Sequence, residues 1–220
     1  FLNTTTSHRS KPLGKNSIKT YYRYFGSVII KAAKDGIIQK NPLDQIETEE
    51  KPKANDDAGR VYLTIDEIRK MEETECEKEV IKRAFMFSCF CGLRISDIRK
   101  LKWTDIEQTT DGDGNTHYRL STTMQKTQKT ITYQLSNEAV KWLPERSEGE
   151  LVFDHLTKKS KLSMVVKDWA KAAGIDKYVT FHTARHSFAT MMLTIGADIY
   201  TTSKLLGHSK IQTTEIYAKI

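Results

Sequence analysis

The sequence predicts a mostly helical α+β protein, with one small antiparallel sheet set among helices. Three observations carry that expectation. Apolar residues recur at three- and four-residue steps over most of the 220 residues. Two β-rich runs fall between residues 116 and 135. A charged stretch with Pro52 and no apolar periodicity, DQIETEEKPKANDDAGR at 44–60, divides the chain in two.

Residues 1–16 are polar and contain Pro12 and Gly14, which fits a loop leading into the first helix. From Ser17 onward Ile18, Tyr21, Tyr22, Phe25, Val28, Ile29, Ala32 and Ala33 form one helical stripe. Ser17 is the expected N-cap and Gly36 the stop. Lys19, Arg23, Lys31 and Lys34 lie mostly off that stripe, as a solvated face or as a phosphate-contacting one. One helix and the Asn41-Pro42 turn bury little, so residues 1–46 are expected to close a helical domain that begins upstream. The start at Phe1 rather than Met fits a fragment. Residues 47–60 are then a linker, and residues 61–220 a second domain.

That second domain opens with Thr64 and Glu67, a capping-box pattern at the head of TIDEIRKMEE. A helix over roughly 78–91 should end at Gly92, with Ser96-Asp97 capping a short helix through Leu101. THYRLSTTM and KTITYQL, preceded by Trp103 and Ile106 across a Gly/Asp turn, suggest about three strands. DGDGN at 111–115 looks like the start of a calcium loop. Thr116 stands where such a loop needs Gly and Thr122 where it needs Glu, so it reads as a hairpin turn. Helices resume over 136–143 and about 158–173, the latter with Leu162, Val165, Val166, Trp169 and Ala173 on one side. The last forty residues read as short amphipathic helices turning at Gly196 and Gly207.

Composition narrows the function. No apolar run approaches the ~20 residues of a membrane span, and no signal-peptide pattern opens the chain. A formal charge of +7 makes a polyanionic partner plausible, nucleic acid first. Cys76, Cys89 and Cys91 are an odd count without framework spacing, which argues for packing thiols in a reducing compartment rather than disulfides or a zinc site.

Six residues stand out chemically. Arg94 sits between the end of a buried helix and the start of the next, where it either holds an anion or pairs with Asp97. Lys126 lies between the two β runs, with Lys129 as its competitor. His182 and Arg185, three apart, face one way on a helix, while His186 is offset and expected to support the fold or orient its neighbours. His208 follows Gly207, and Tyr217 is either a packing residue or a nucleophile. Two guanidiniums, two imidazoles, a lysine and a tyrosine, without an acidic cluster to hold a metal, suit metal-free phosphoryl transfer.

In this set and order the chain resembles the tyrosine recombinases of the phage-integrase family, across essentially all of residues 17–220. GLRISDI resembles the segment with that family's first catalytic arginine, implying Arg94. The Lys-Thr of the β-hairpin is similar to its catalytic lysine, implying Lys126. HTARHSFAT resembles its His-x-x-Arg box, implying His182 and Arg185. LLGHSKIQTTEIYAKI resembles its closing box, implying His208 and Tyr217 as nucleophile. The helix before KNPLDQI is similar to the end of the family's helical core-binding (SAM-like) domain, and its style to integrases of Bacteroides-type mobile elements.

The resemblance implies a mechanism. Tyr217 attacks a scissile phosphate of double-stranded DNA, forms a 3′-phosphotyrosyl bond and releases a 5′-hydroxyl. Arg94 and Arg185 hold the non-bridging oxygens, His208 hydrogen-bonds the phosphate, His182 assists proton removal, and Lys126 protonates the leaving oxygen. The cationic site is expected to favour the phenolate as it forms. No metal, ATP or other cofactor is implied. A homotetramer on two DNA sites, accessory DNA-bending proteins and a cytoplasmic, nucleoid-associated setting without membrane follow in the same way. The rivals are a type IB topoisomerase-like relaxation activity and a non-catalytic DNA-binding module.

Overall fold

A computed structural model describes residues 12–53, 60–146, 149–156 and 159–218, and everything below concerns those residues. The chain divides into two compact units, residues 1–59 and 60–220.

In the first unit, α1 runs from Lys15 to Lys34. Its N-cap is Gly14 rather than Ser17, so the helix begins three residues before the apolar stripe does. Gly36 ends it as expected, with φ +73°. A 3-10 turn, Pro42–Gln45, follows, opened by the Asn41 side chain accepting from Leu43 N–H. Gly26 is the buried residue of α1, and Leu43 lies against it. Tyr21, Tyr24, Phe25, Val28 and Ile30 stay exposed, as the short apolar inventory implied. Lys31 pairs with Asp35 at 2.6 Å, which places it on the solvated face.

In the second unit, α2 (Ile65–Glu73) carries the anticipated capping box, with Thr64 Oγ1 accepting from Glu67 N–H and Glu67 accepting from Thr64 N–H. The central element is α3 (Glu79–Cys91), whose residues Ile81, Ala84, Phe85, Met86, Phe87, Cys89 and Cys91 are all buried. Phe85 meets Trp169 and Phe181 edge-on at 5.7 and 5.6 Å, a geometry that aligns ring edges with ring faces. The three cysteines are free and buried, consistent with packing.

A short helix, α4 (Ile95–Ile98), comes next. Arg94, not Ser96, is its N-cap, and Asp97 is its third residue. Strands β1 (Ile106–Thr110), β2 (Thr116–Thr123) and β3 (Thr130–Gln134) form an antiparallel sheet in sequence order. Ile106 pairs with Leu120, and Thr122 with Ile131, so Ile106, Leu120 and Ile131 are buried while their alternates face outward. DGDGN is the β1–β2 turn, closed by Asp111 accepting from Asp113 and Asn115 N–H.

Helices α5 (Asn137–Lys141), α6 (Lys159–Ala172), α7 (Phe181–Thr194), α8 (Ile199–Leu205) and α9 (Gln212–Glu215) complete the unit. Packed against α3 are α7, α5 and α6. A second cluster, Phe188, Ala189, Leu206 and Tyr217, joins α7 to the closing helices. Among the described residues no helix is long and apolar enough to cross a membrane, and no group of His, Cys, Asp and Glu is arranged to hold a metal ion.

The α3 terminus is the tightest joint. Gly92 has φ +72°, and a Cβ built there would lie 2.5 Å from Phe188 Cδ1 and 3.2 Å from Leu206 Cδ2. Gly92→Ala therefore combines left-handed strain with a clash. It should cost about 2 kcal/mol or more, lowering Tm by roughly 5 °C or more in a thermal melt. An unchanged Tm would mean that this joint is loose.

Candidate active site

The site is built around Arg185, one turn into α7 and only 2% exposed. Its Nη1 donates to the Gly92 carbonyl at 2.7 Å and its Nη2 to the Leu206 carbonyl at 2.5 Å. Those carbonyls end α3 and α8, where main-chain acceptors lack helical partners and the helix dipole is negative. Two helix ends thus fix one guanidinium. A guanidinium has five N–H donors, so three remain for an anion. Burial first, then the neighbouring Arg94, draws Arg185 down to about 10, which leaves it charged at neutral pH.

Arg94 is half-buried. The Asp97 carboxylate accepts from the main-chain N–H groups of Arg94 and Gln125, at 3.3 and 2.8 Å, rather than from the Arg94 guanidinium. Arg94 Nη1 is buried and has no hydrogen-bond partner among the described residues. Of the two readings open from spacing, the anion-facing one has a donor to offer. The negative charge at the head of α4 is already supplied by Asp97.

The same Asp97 bond ties down the β2–β3 hairpin. Gln125 also accepts from Lys100 Nζ at 2.6 Å, and the loop closes with Met124 N–H donating to the Lys129 carbonyl. Lys126 therefore sits exposed on a tethered loop, and its charge reaches His182.

At the C-terminal end, Gly207 (φ +60°) and His208 close α8 with N–H bonds to the Lys204 and Ser203 carbonyls, a Schellman-type end. His208 Nδ1 lies 2.8 Å from Thr214 Oγ1, which orients the ring from α9. Tyr217 follows α9, is 4% exposed, and places its hydroxyl 2.6 Å from His186 Nδ1.

His186 is the first residue whose part was underestimated. Four residues beyond His182, it shares that face of α7 rather than being offset, and the two rings meet edge-on at 4.5 Å. Arg60, assigned to the linker from sequence, is the second. Its guanidinium lies 5.9 Å from the Tyr217 ring centroid, and its charge opposes the upward shift of that phenol. Three residues on, Leu63 N–H donates to Ser187 Oγ, which donates in turn to the Thr183 carbonyl, so the chain that follows Arg60 is tied to α7. An isolated basic residue at the end of a charged stretch carries no periodic signal, so only the fold reveals it.

The charges of Arg94, Arg185, His182, His208 and Tyr217 act on one another, with Arg60 among them and Lys126 at the edge. Desolvation lowers His208 to about 4 and His186 to about 3, helped by the surrounding cations, and lowers His182 in the same direction. The imidazoles of His186 and His208 are therefore neutral at pH 7. For Tyr217, burial raises the phenol above its ordinary value, although Arg60, Arg185 and Arg94 oppose the rise. The cations thus act in the expected direction, toward the phenolate, while burial keeps the resting tyrosine a phenol.

Such a site gathers fixed cations and neutral imidazoles around a phenol and presents unused N–H donors. It is arranged to receive an oxyanion. Comparisons with known proteins agree on where this belongs. The phage integrase family profile matches residues 62–220, and the phage integrase SAM-like domain profile matches residues 1–51. The chain belongs to the phage integrase family, the tyrosine-type site-specific recombinases. It is 30% identical over 219 residues to tyrosine recombinase XerD of Listeria innocua, covering 93% of this chain and 69% of that protein. In fold it is similar to XerH site-specific recombinase bound to palindromic difH substrate (TM-score 0.72, 19% identity, 94% of this chain and 64% of that one). It is likewise similar to a lambda integrase(75-356) dimer bound to a COC′ core site (TM-score 0.71, 20% identity, 92% of this chain and 73% of that one). The chain thus spans roughly two-thirds of the length of these relatives.

The histidine shifts set a pH dependence. His186 and His208 take up protons near 6.5 in the unfolded chain, but only at about 3 and about 4 in the fold. Below pH 6.5 the unfolded state binds more protons, so stability falls as pH drops toward 4. Calorimetry should show Tm decreasing from pH 7 to 4.5, and decreasing less in a His186→Asn, His208→Asn double variant. An equal decrease would assign the effect to other groups.

Proposed function

We propose that this chain cleaves and rejoins double-stranded DNA through a 3′-phosphotyrosyl intermediate, integrating or excising a mobile element. The single observation that carries the reading is the convergence of Tyr217 with two arginines that retain donors, Arg94 through Nη1 and Arg185 through three N–H groups. DNA is supported as partner by the relatives bound to it and by the chain's net positive charge.

Tyr217 Oη attacks the scissile phosphorus, and the bond to the 5′-oxygen breaks. Arg94 and Arg185 take the non-bridging oxygens, where the planar guanidinium fork matches the oxyanion better than an ammonium would. His208 donates to the phosphate from Nε2, with its Nδ1 turned to the Thr214 hydroxyl. Lys126, on the hairpin held by Asp97, protonates the leaving oxygen. It is preferred to Lys129 because its charge reaches the site. His182 assists removal of the phenolic proton. The phosphotyrosyl bond conserves the phosphodiester energy, so the residues named suffice without ATP.

The same reading assigns residues 1–46 to the C-terminal part of a core-binding domain, 47–60 to a linker and 61–220 to the catalytic domain. Action as a homotetramer on two DNA sites, with accessory DNA-bending proteins, in the bacterial cytoplasm at the nucleoid, belongs to this proposal as well.

A nicked suicide duplex bearing the core site tests it, with the covalent complex resolved on a denaturing gel. Tyr217→Phe should bind the duplex and form no adduct; an adduct in that variant would refute the nucleophile. Arg94→Ala removes a guanidinium whose Nη1 supports no other bond. It should slow adduct formation by ~10²-fold or more while Tm and DNA retention change little. Parallel losses of all three would make Arg94 a structural residue.

A further inference from the structure

The imidazole that touches the Tyr217 hydroxyl is His186, not His182. His182 meets His186, which in turn meets the tyrosine. The His182 and His186 rings are 4.5 Å apart, and the His186 and Tyr217 rings 5.5 Å. His186 is 9% exposed, whereas His182 is exposed to solvent. Phenol, buried imidazole and exposed imidazole therefore lie in sequence from the second apolar cluster to the surface of α7.

We propose that His186 orients the Tyr217 hydroxyl and takes its proton as the phenol attacks phosphorus. This rests on the phosphotyrosyl reading above. In the step, the Oη–P bond forms while the bond from phosphorus to the 5′-oxygen breaks. The phenolic proton passes to His186 Nδ1, and the 5′-oxygen receives the proton of Lys126. His182 then influences the reaction from outside, through the ring of His186.

Charged and titratable groups surround this imidazole on every side. His182 and Arg185 come from α7, Arg60 from the segment before α2, His208 from the turn after α8, and Tyr217 from beyond α9. Together with burial they hold His186 neutral at pH 7, and in the tautomer with the proton on Nε2 its Nδ1 is the acceptor for the phenol. They also make an imidazolium costly while the site is empty of anion. The negative charge of an arriving phosphate offsets that cost, which ties proton transfer to the presence of substrate.

The test is the rate of adduct formation on the nicked duplex between pH 6 and 9, for the wild-type chain, His186→Asn and His182→Asn. With His186 as acceptor the wild-type rate is nearly flat, because the acceptor is unprotonated throughout. In His186→Asn the attack has to wait for free phenolate. The rate should fall ~10²-fold or more at pH 7 and rise about tenfold per pH unit. His182→Asn, which removes only the outer ring, should lower the rate by a similar factor at every pH and keep the flat profile. Parallel profiles in wild type and His186→Asn, or a steep profile in His182→Asn alone, would overturn the proposal. So would a steep profile in the wild type itself, which decides the matter even if His186→Asn fails to fold by circular dichroism. An adduct abolished by Tyr217→Phe but indifferent to His186 sinks only this inference. No wild-type adduct with binding intact sinks the phosphotyrosyl reading along with it.

Discussion

A guanidinium buried to 2% exposure has to be met by acceptors, and Arg185 is met by two main-chain carbonyls at the ends of two helices. That one constraint reaches through the second unit. It requires α3 to stop at Gly92, α8 to stop at Leu206, and α7 to pass between them. It explains the close approach of Gly92 to Phe188 and Leu206, since any side chain at residue 92 would hold the three helices apart. The acceptors are carbonyls rather than carboxylates. They orient the guanidinium without neutralising it, so its positive charge stays in the site.

The same economy appears in the other charged groups. Asp97 is the buried carboxylate nearest to Arg94, yet it accepts from main-chain N–H groups and secures the hairpin to α4. Its charge moderates the site while its hydrogen-bonding capacity goes to architecture. The histidines respond in the opposite sense. Desolvated among cations, the buried His186 and half-buried His208 are kept neutral, and each has its Nδ1 engaged by a hydroxyl, from Tyr217 and Thr214. Fixed cations with neutral, oriented imidazoles form a site whose uncompensated charge is positive, which is the complement of a phosphate.

Much of the fold was legible because its signals are local. The capping box at Thr64, the glycine ends at Gly92, Gly196 and Gly207, and the β runs between residues 116 and 135 depend on a few neighbouring residues, and all appear as read. Errors came where two local signals compete. Ser17 looks like an N-cap, but nothing before it stops the helix until Gly14, so α1 starts earlier. Ser96-Asp97 looks like a cap pair, but the Asp97 carboxylate reaches back to the N–H of Arg94, which moves the cap two residues upstream. Candidate site residues were legible for a different reason. Arg94, Lys126, His182, Arg185, His208 and Tyr217, in that order, form a chemically coherent set, and their spacing matches a known family.

By itself, then, the sequence determined the helical α+β class, the break between two units, the family and the identity of the six candidate residues. Each follows from residue type and short-range spacing. The tertiary structure decided what those residues do to one another. It placed His186 against the Tyr217 hydroxyl, brought Arg60 from the edge of the linker to the same ring, and left Arg94 with a free donor by giving Asp97 other work. It also set the protonation states, raising the tyrosine and lowering the histidines. These are consequences of burial and of distances between residues more than a hundred positions apart in some cases. No local pattern encodes them, because desolvation and charge coupling exist only once the chain has closed around the site.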